Sequence, residues 1–206
     1  MKLISLLFIF CFLGCVNNSV EGFEKPFPVA AKMAMLKKKA IAAKAYCKAN
    51  DMDLSTVILI NMNIHSGLKR FVVWDFKKDT IMMEGLVTHG CGTSKWGSDE
   101  SKTKPVFSNT PDSHCSSLGK YKIGERGYSS WGIHVKYLLH GLESTNNNAL
   151  ARTVVLHGWN AIPDYETYPD GISESWGCPA VSNDFMAALD SLLKKKANPV
   201  LLWIYK

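Results

Sequence analysis

What most limits the fold is a run of β-type segments lying too close together in sequence to be joined by helices. "STVILINMNI", from Ser55, alternates in period two: Ile58, Ile60, Met62 and Ile64 face one way, and Asn61 and Asn63 face the other. "HSG" then leads into "LKRFVVWDF", and "KKD" leads into "TIMMEGLVTHG". Neighbouring parallel strands need a crossover of roughly a dozen residues or more. Turns this short permit only an antiparallel meander. Four later pieces also read as strands: "YKIGERG", "GIHVKYLLHGL", "RTVVLHGW" and the terminal "PVLLWIYK".

Two helices frame these strands. Val29, Met33, Leu36, Ala40, Ala43 and Cys47 recur at steps of three and four, giving one apolar stripe, and most of the intervening lysines fall off it. Asn50 is placed to end that helix. "SNDFMAALDSLLKKKA" reads as a short second helix with Ser182 or Asn183 as its cap and Asp184 in its first turn. The expectation is a mostly β, single-domain protein with a helix at each side of the sheet. At 206 residues the chain can build a real core without disulfides.

The leader is set apart. "MKLISLLFIFCFLGC" has an early lysine and a largely apolar core too short to span a bilayer comfortably, so residues 1–22 read as a signal peptide. Two cleavage routes stand open: a lipobox ending before Cys15, with membrane anchoring through a lipidated Cys15, or ordinary cleavage near "SVEG". Both export the chain to an oxidising envelope compartment. Residues 23–53 form a linker and the first helix, and 54–206 the functional domain. The net charge of +6 comes partly from the runs Lys37-Lys38-Lys39 and Lys194-Lys195-Lys196, which read as solvated helix faces. Without an aromatic-interleaved basic patch, nucleic acid is not an expected partner.

Cysteine and histidine carry the candidate chemistry. The paired Cys-x-x-Cys or His-x-x-x-His spacings of structural zinc are missing, so no metal is expected. Cys91 and Cys115 can pair as a disulfide if their loops meet, and whether they do is open at this point. "SWGCPAVS" places Cys178 in a loop about twenty residues beyond His157-Gly158, which closes a β-branched run. A thiol there is either a half-cystine, an inert core group or a nucleophile. As a nucleophile it needs an adjacent imidazole to deprotonate it, and His157 is the candidate. Gly177 would let the main chain approach a carbonyl, with nearby N–H groups as an oxyanion hole.

These segments resemble the bacterial L,D-transpeptidase (YkuD-like) catalytic domains, in the divergent murein L,D-transpeptidase branch. The family's His-Gly, variable loop and Ser/Thr-His-Gly-Cys appear here as His157-Gly158 and Ser175-Trp176-Gly177-Cys178. "VTHGCG", "FSNTPDSHCSSLGKYKIGE" and "LLHGLE" are also similar to that branch. The resemblance implies a YkuD-like β-sandwich with flanking helices, no cofactor, and peptidoglycan as partner. It implies that Cys178 forms a thioester with a stem peptide, with His157 as base, oriented by a backbone carbonyl near Gly158. It also points to Trp176, Ser175, His89 and Ser108 as substrate-binding residues. Trp176 stands where better-known members carry histidine, and "PAVS" lacks their arginine after the cysteine. Two alternatives therefore remain: an L,D-carboxypeptidase using water, and a non-catalytic wall-binding module.

Overall fold

The computed structural model describes residues 28–206; the expected signal peptide and the candidate lipidation position Cys15 lie outside the described residues. The strands are β1 (Thr56–Asn61), β2 (Phe71–Asp75), β3 (Thr80–Gly85), β4 (Gly119–Tyr128), β5 (Val135–Gly141), β6 (Val155–Gly158), β7 (Ala180–Val181) and β8 (Leu201–Tyr205). Helix α1 covers Val29–Ala49, and α2 covers Asn183–Leu193.

β1, β2 and β3 form the antiparallel meander that their short connections require. The hydrogen-bonded order is β3-β2-β1-β8-β4-β5-β6-β7. The C-terminal strand β8 enters the middle, parallel to β1 on one side and antiparallel to β4 on the other. That insertion joins the two halves into one eight-stranded ladder, and the layering lies in what packs on its two faces.

Every residue of β1 is buried, because both of its faces are covered. Ile58 and Ile60 join Phe71, Val73, Leu139 and Leu156 in a core closed by Met186, Leu189 and Leu193 of α2. Val57 and Leu59 point the other way, into a second core with Leu36, Ala40, Ala43 and Cys47 of α1. The stripe on α1 thus packs where its period directs it, although Val29 at its start is exposed. Truncating a wholly buried leucine such as Leu59 would cost about 2–5 kcal/mol.

The helix ends follow local chemistry. Ser182 Oγ accepts from Phe185 N–H at 3.2 Å, capping α2 just after the cysteine loop. The Asn50 N–H bonds the Cys47 carbonyl, and its side-chain amide donates to Tyr46 O at 2.9 Å. A smaller cluster of Leu86, Trp159, Ile162, Ile172 and Ala180 underlies the cysteine loop.

Candidate active site

Cys178 is delivered by a turn fastened to the strand-like segment 88–91. Ser175 N–H donates to His89 O at 2.9 Å, and Cys91 N–H donates to Ser175 O at 2.8 Å. Thr88 Oγ1 donates to Cys178 O and accepts from Ala180 N–H, both at 2.9 Å. Within the turn, Ser175 Oγ donates to Cys178 O at 2.7 Å and accepts from Gly177 N–H at 3.1 Å. Gly177 has φ +102°, and a Cβ there would sit 2.5 Å from the Cys115 carbonyl oxygen, so only glycine fits.

His157 reaches the same place from β6, which pairs in parallel with β7 immediately after the cysteine. Cys178 and His157 line one cavity of about 110 Å3 together with Ser175. Trp96, Trp131, Trp159 and Trp176 form its remaining wall. A larger hollow of about 440 Å3, near Lys32 and Glu84, contains neither histidine nor cysteine.

The hydrogen bonds fix which nitrogen of His157 carries its proton. Nδ1 lies 2.9 Å from Gly158 O, and a carbonyl can only accept, so Nδ1 is the donor. Nε2 of the neutral ring is then left with a lone pair. Burial pulls the pKa of His157 below 6.5, with the Gly158 bond opposing and Lys136 adding to the drop. The ring is neutral at physiological pH and available as a base.

The thiol departs from the sequence expectation of a resting thiolate. Burial pushes Cys178 above its ordinary 9.0, only partly relieved by Val155 N–H, Arg152 and Lys136. Sγ accepts from Val155 N–H at 3.5 Å and donates to Thr153 O at 3.7 Å. Burial thus favours the neutral form of both the thiol and the imidazole.

Two of the expected substrate contacts, His89 and Ser108, lie away from this cavity. His89 is 1 % exposed and does not line this cavity. Its Nδ1 lies 2.7 Å from Nη2 of Arg70, and its Nε2 lies 2.8 Å from Ser101 Oγ. Ser108 is also outside the cavity: its hydroxyl accepts from Thr110 N–H, and its carbonyl accepts from Arg152. The Gly177 N–H is taken up by Ser175 Oγ. Ser175 does line the cavity, but its hydroxyl is engaged in holding the turn. Trp176 is 61 % exposed at the rim, stacked 5.2 Å from His114.

The disulfide expectation has a mixed outcome. The two loops do meet, with Gly92 N–H donating to His114 O at 3.2 Å, yet Cys91 and Cys115 are free thiols, as are Cys47 and Cys178.

Residues beyond the sequence reading also build the site. Arg152 donates to Ser108 O, Ser117 Oγ and Cys115 O, at 3.0, 2.9 and 2.6 Å, tying that loop against the cysteine turn. It brings a guanidinium beside Cys178 from another element, and no local motif marks it. Trp159 directly follows His157-Gly158 and was legible as a neighbour. Trp96 and Trp131 come from distant loops.

A family model, the L,D-transpeptidase catalytic domain (YkuD_2), matches residues 30–205. Among curated proteins none matches. Among solved structures, the helical cell shape determining protein Pgp2 from Campylobacter jejuni is similar at 11% identity and a TM-score of 0.47. That match covers 74% of this chain and 48% of Pgp2. An L,D-transpeptidase from Xylanimonas cellulosilytica is similar at 12% identity and a TM-score of 0.40, over 73% of this chain and 60% of that one. The chain thus spans between about half and three fifths of these structures. With the family model running across nearly all the described residues, the chain belongs to the L,D-transpeptidase catalytic domain family.

Proposed function

We propose that this protein is a cysteine acyl-transferase acting on peptidoglycan stem peptides. The observation that carries this reading is the placement of Cys178 and His157 in one aromatic-walled cavity, with His157 Nδ1 held by Gly158 O. His157 Nε2 takes the thiol proton as Sγ attacks the carbonyl linking an L-centre to the terminal D-alanine of a tetrapeptide. Coupling proton transfer to attack removes any need for a stable thiolate, which agrees with the raised thiol pKa. The C–N bond breaks, D-alanine leaves with the proton from His157, and a thioester remains. The amine of a second stem attacks that thioester, giving its proton to His157. The new amide forms, and the thiol recovers its proton.

With the Gly177 N–H occupied, the N–H of Cys178 is the oxyanion donor in this scheme. Gly158 serves by its carbonyl, and Trp176 at the rim is the substrate contact. If water replaces the amine, the same steps give an L,D-carboxypeptidase. The leader argues for action in the cell envelope.

The test is incubation of native protein and Cys178→Ala with purified disaccharide-tetrapeptides, read by mass spectrometry. Cross-linked dimers made only by native protein support transfer. Tripeptides alone assign a carboxypeptidase, and neither product from a folded native protein leaves the wall-binding module.

A further inference from the structure

The chain has six tryptophans, and four of them gather around Cys178 although they come from four separate segments. Trp96 is the hub. Its ring centre is 5.3 Å from Trp159, 6.0 Å from Trp131 and 6.1 Å from Trp176. Trp159 is the buried floor at 8 % exposure, whereas Trp96, Trp131 and Trp176 are 42, 46 and 61 % exposed. Three large indoles left in water at one place form an apolar patch of the sort that marks a binding surface.

The loops bearing these rings are held in place. Gly97 N–H, next to Trp96, donates to Glu174 O at 3.0 Å. Trp131 N–H donates to Ser129 Oγ at 3.1 Å, and a Cβ on neighbouring Gly132 would sit 2.5 Å from Gly158 O. The rings are preorganised, which lowers the cost of ordering them around a ligand.

The surface extends past the cysteine cavity in two directions, with Trp159 lining all three hollows. One flank, of about 270 Å3, adds Ser130, His134 and Asn160. The other, of about 550 Å3, adds Lys95, Ser98 and Ser173. Among the described residues no carboxylate lines any of the three. Cation recognition would be opposed by Lys95 and helped by no counter-charge. A lipid chain would bury the serines and asparagine unpaired, at a cost. The complementary ligand is neutral, with apolar C–H faces for the indoles and hydroxyl or amide groups for the flanks.

We infer that the Trp96–Trp131–Trp159 surface is a saccharide subsite that takes pyranose rings of a sugar polymer running past Cys178. The inference deepens the proposed function and rests on it for the identity of the polymer, the glycan strand that carries the stem peptide. Sugar binding itself does not require catalysis.

The probe is chitotetraose, a peptide-free polymer of N-acetylglucosamine, titrated into full-length Cys178→Ala protein. Tryptophan fluorescence and calorimetry report binding. Free tetrapeptide without sugar and tetramethylammonium are the other arms. The expected result is saturable binding of chitotetraose with a tryptophan signal. Trp131→Ala and Trp96→Ala, each checked by thermal melting, should each weaken it about tenfold, towards the low end of what losing one aromatic stacking partner costs a nucleobase. Three results overturn the inference: no binding at millimolar sugar, binding that neither substitution weakens, or a tryptophan-dependent response to tetramethylammonium alone. Because the probed protein lacks the thiol, failure here is separate from failure of the transferase reading. Native protein that cross-links free tetrapeptide yet ignores chitotetraose would keep the enzyme and remove the subsite.

Discussion

His89-Gly90 and His157-Gly158 are the same dipeptide, each following a buried apolar run, and their surroundings send them to opposite ends. Nδ1 of His89 faces Arg70, which can only donate, so Nδ1 accepts and Nε2 carries the proton. The chain then runs from Nε2–H to Ser101 Oγ, and from that hydroxyl to Glu174 Oε1 at 2.8 Å. Nδ1 of His157 faces a carbonyl, so the assignment reverses and Nε2 can accept. One partner makes a histidine a strut, and the other leaves its Nε2 lone pair free to accept a proton.

The strut has a clear purpose. Arg70 is 1 % exposed and also donates to Val87 O and Ile64 O. Burial pulls its pKa down to about 9, against the pull of Glu174. Glu174 is fully buried and immediately precedes Ser175, so the network anchors the root of the cysteine loop from inside. The 3.5 Å contact of His89 with Glu174 is a polar contact between a neutral ring and a carboxyl group, because burial and Arg70 hold His89 near pKa 3.

If the two histidines differ in this way, substitutions should separate activity from stability. The largest effect is expected for His157→Gln, which should lower transfer rates about 10²–10⁴-fold. Its urea midpoint should stay near that of native protein, and a large loss of stability would make His157 a second strut. Arg70→Met should do the reverse, strongly destabilising the fold by about 3–5 kcal/mol in urea titration, because it strips the donor from a buried polar network. A neutral outcome would mean that the loop does not lean on that network.

Acid should sharpen the contrast. His89 is neutral in the fold down to about pH 3, while an unfolded histidine takes a proton below about 6.5. The unfolded state binds the extra proton, so stability is complete above 6.5 and is lost as pH falls towards 3, by on the order of a few kcal/mol. His157 contributes in the same direction. Urea midpoints measured across that window should fall in native protein and fall less steeply in His89→Gln, the remaining slope coming from His157 and from carboxylates such as Asp190, which is held near pKa 2. The smallest effect is predicted for Thr88→Val, which removes the hydroxyl bridging Cys178 O and Ala180 N–H. It should cost about 1–3 kcal/mol, with a modest loss of transfer rate and an unchanged family of products.

Much of the site could be read locally. The segments bearing His157 and Cys178 stand out as a strand end and a loop in which Cys178 lies between a glycine and a proline, and the structure brings both to one cavity. His89 was misread because its tautomer depends on Arg70, and its second partner, Ser101, is tied to Glu174 73 residues further on. Arg152 and the tryptophans of two remote loops were silent for the same reason: side chains meeting across the fold leave no period in the sequence.

The chain by itself determined the meander, both helices and the face that α1 buries, since period and turn length act over a few residues. It could not determine that β8 lies parallel to β1 at the centre of the sheet, nor which histidine opens onto the thiol. Those choices were settled by pairings between distant segments, where the energy comes from covering both faces of one strand and from the donor or acceptor that happens to meet each ring nitrogen.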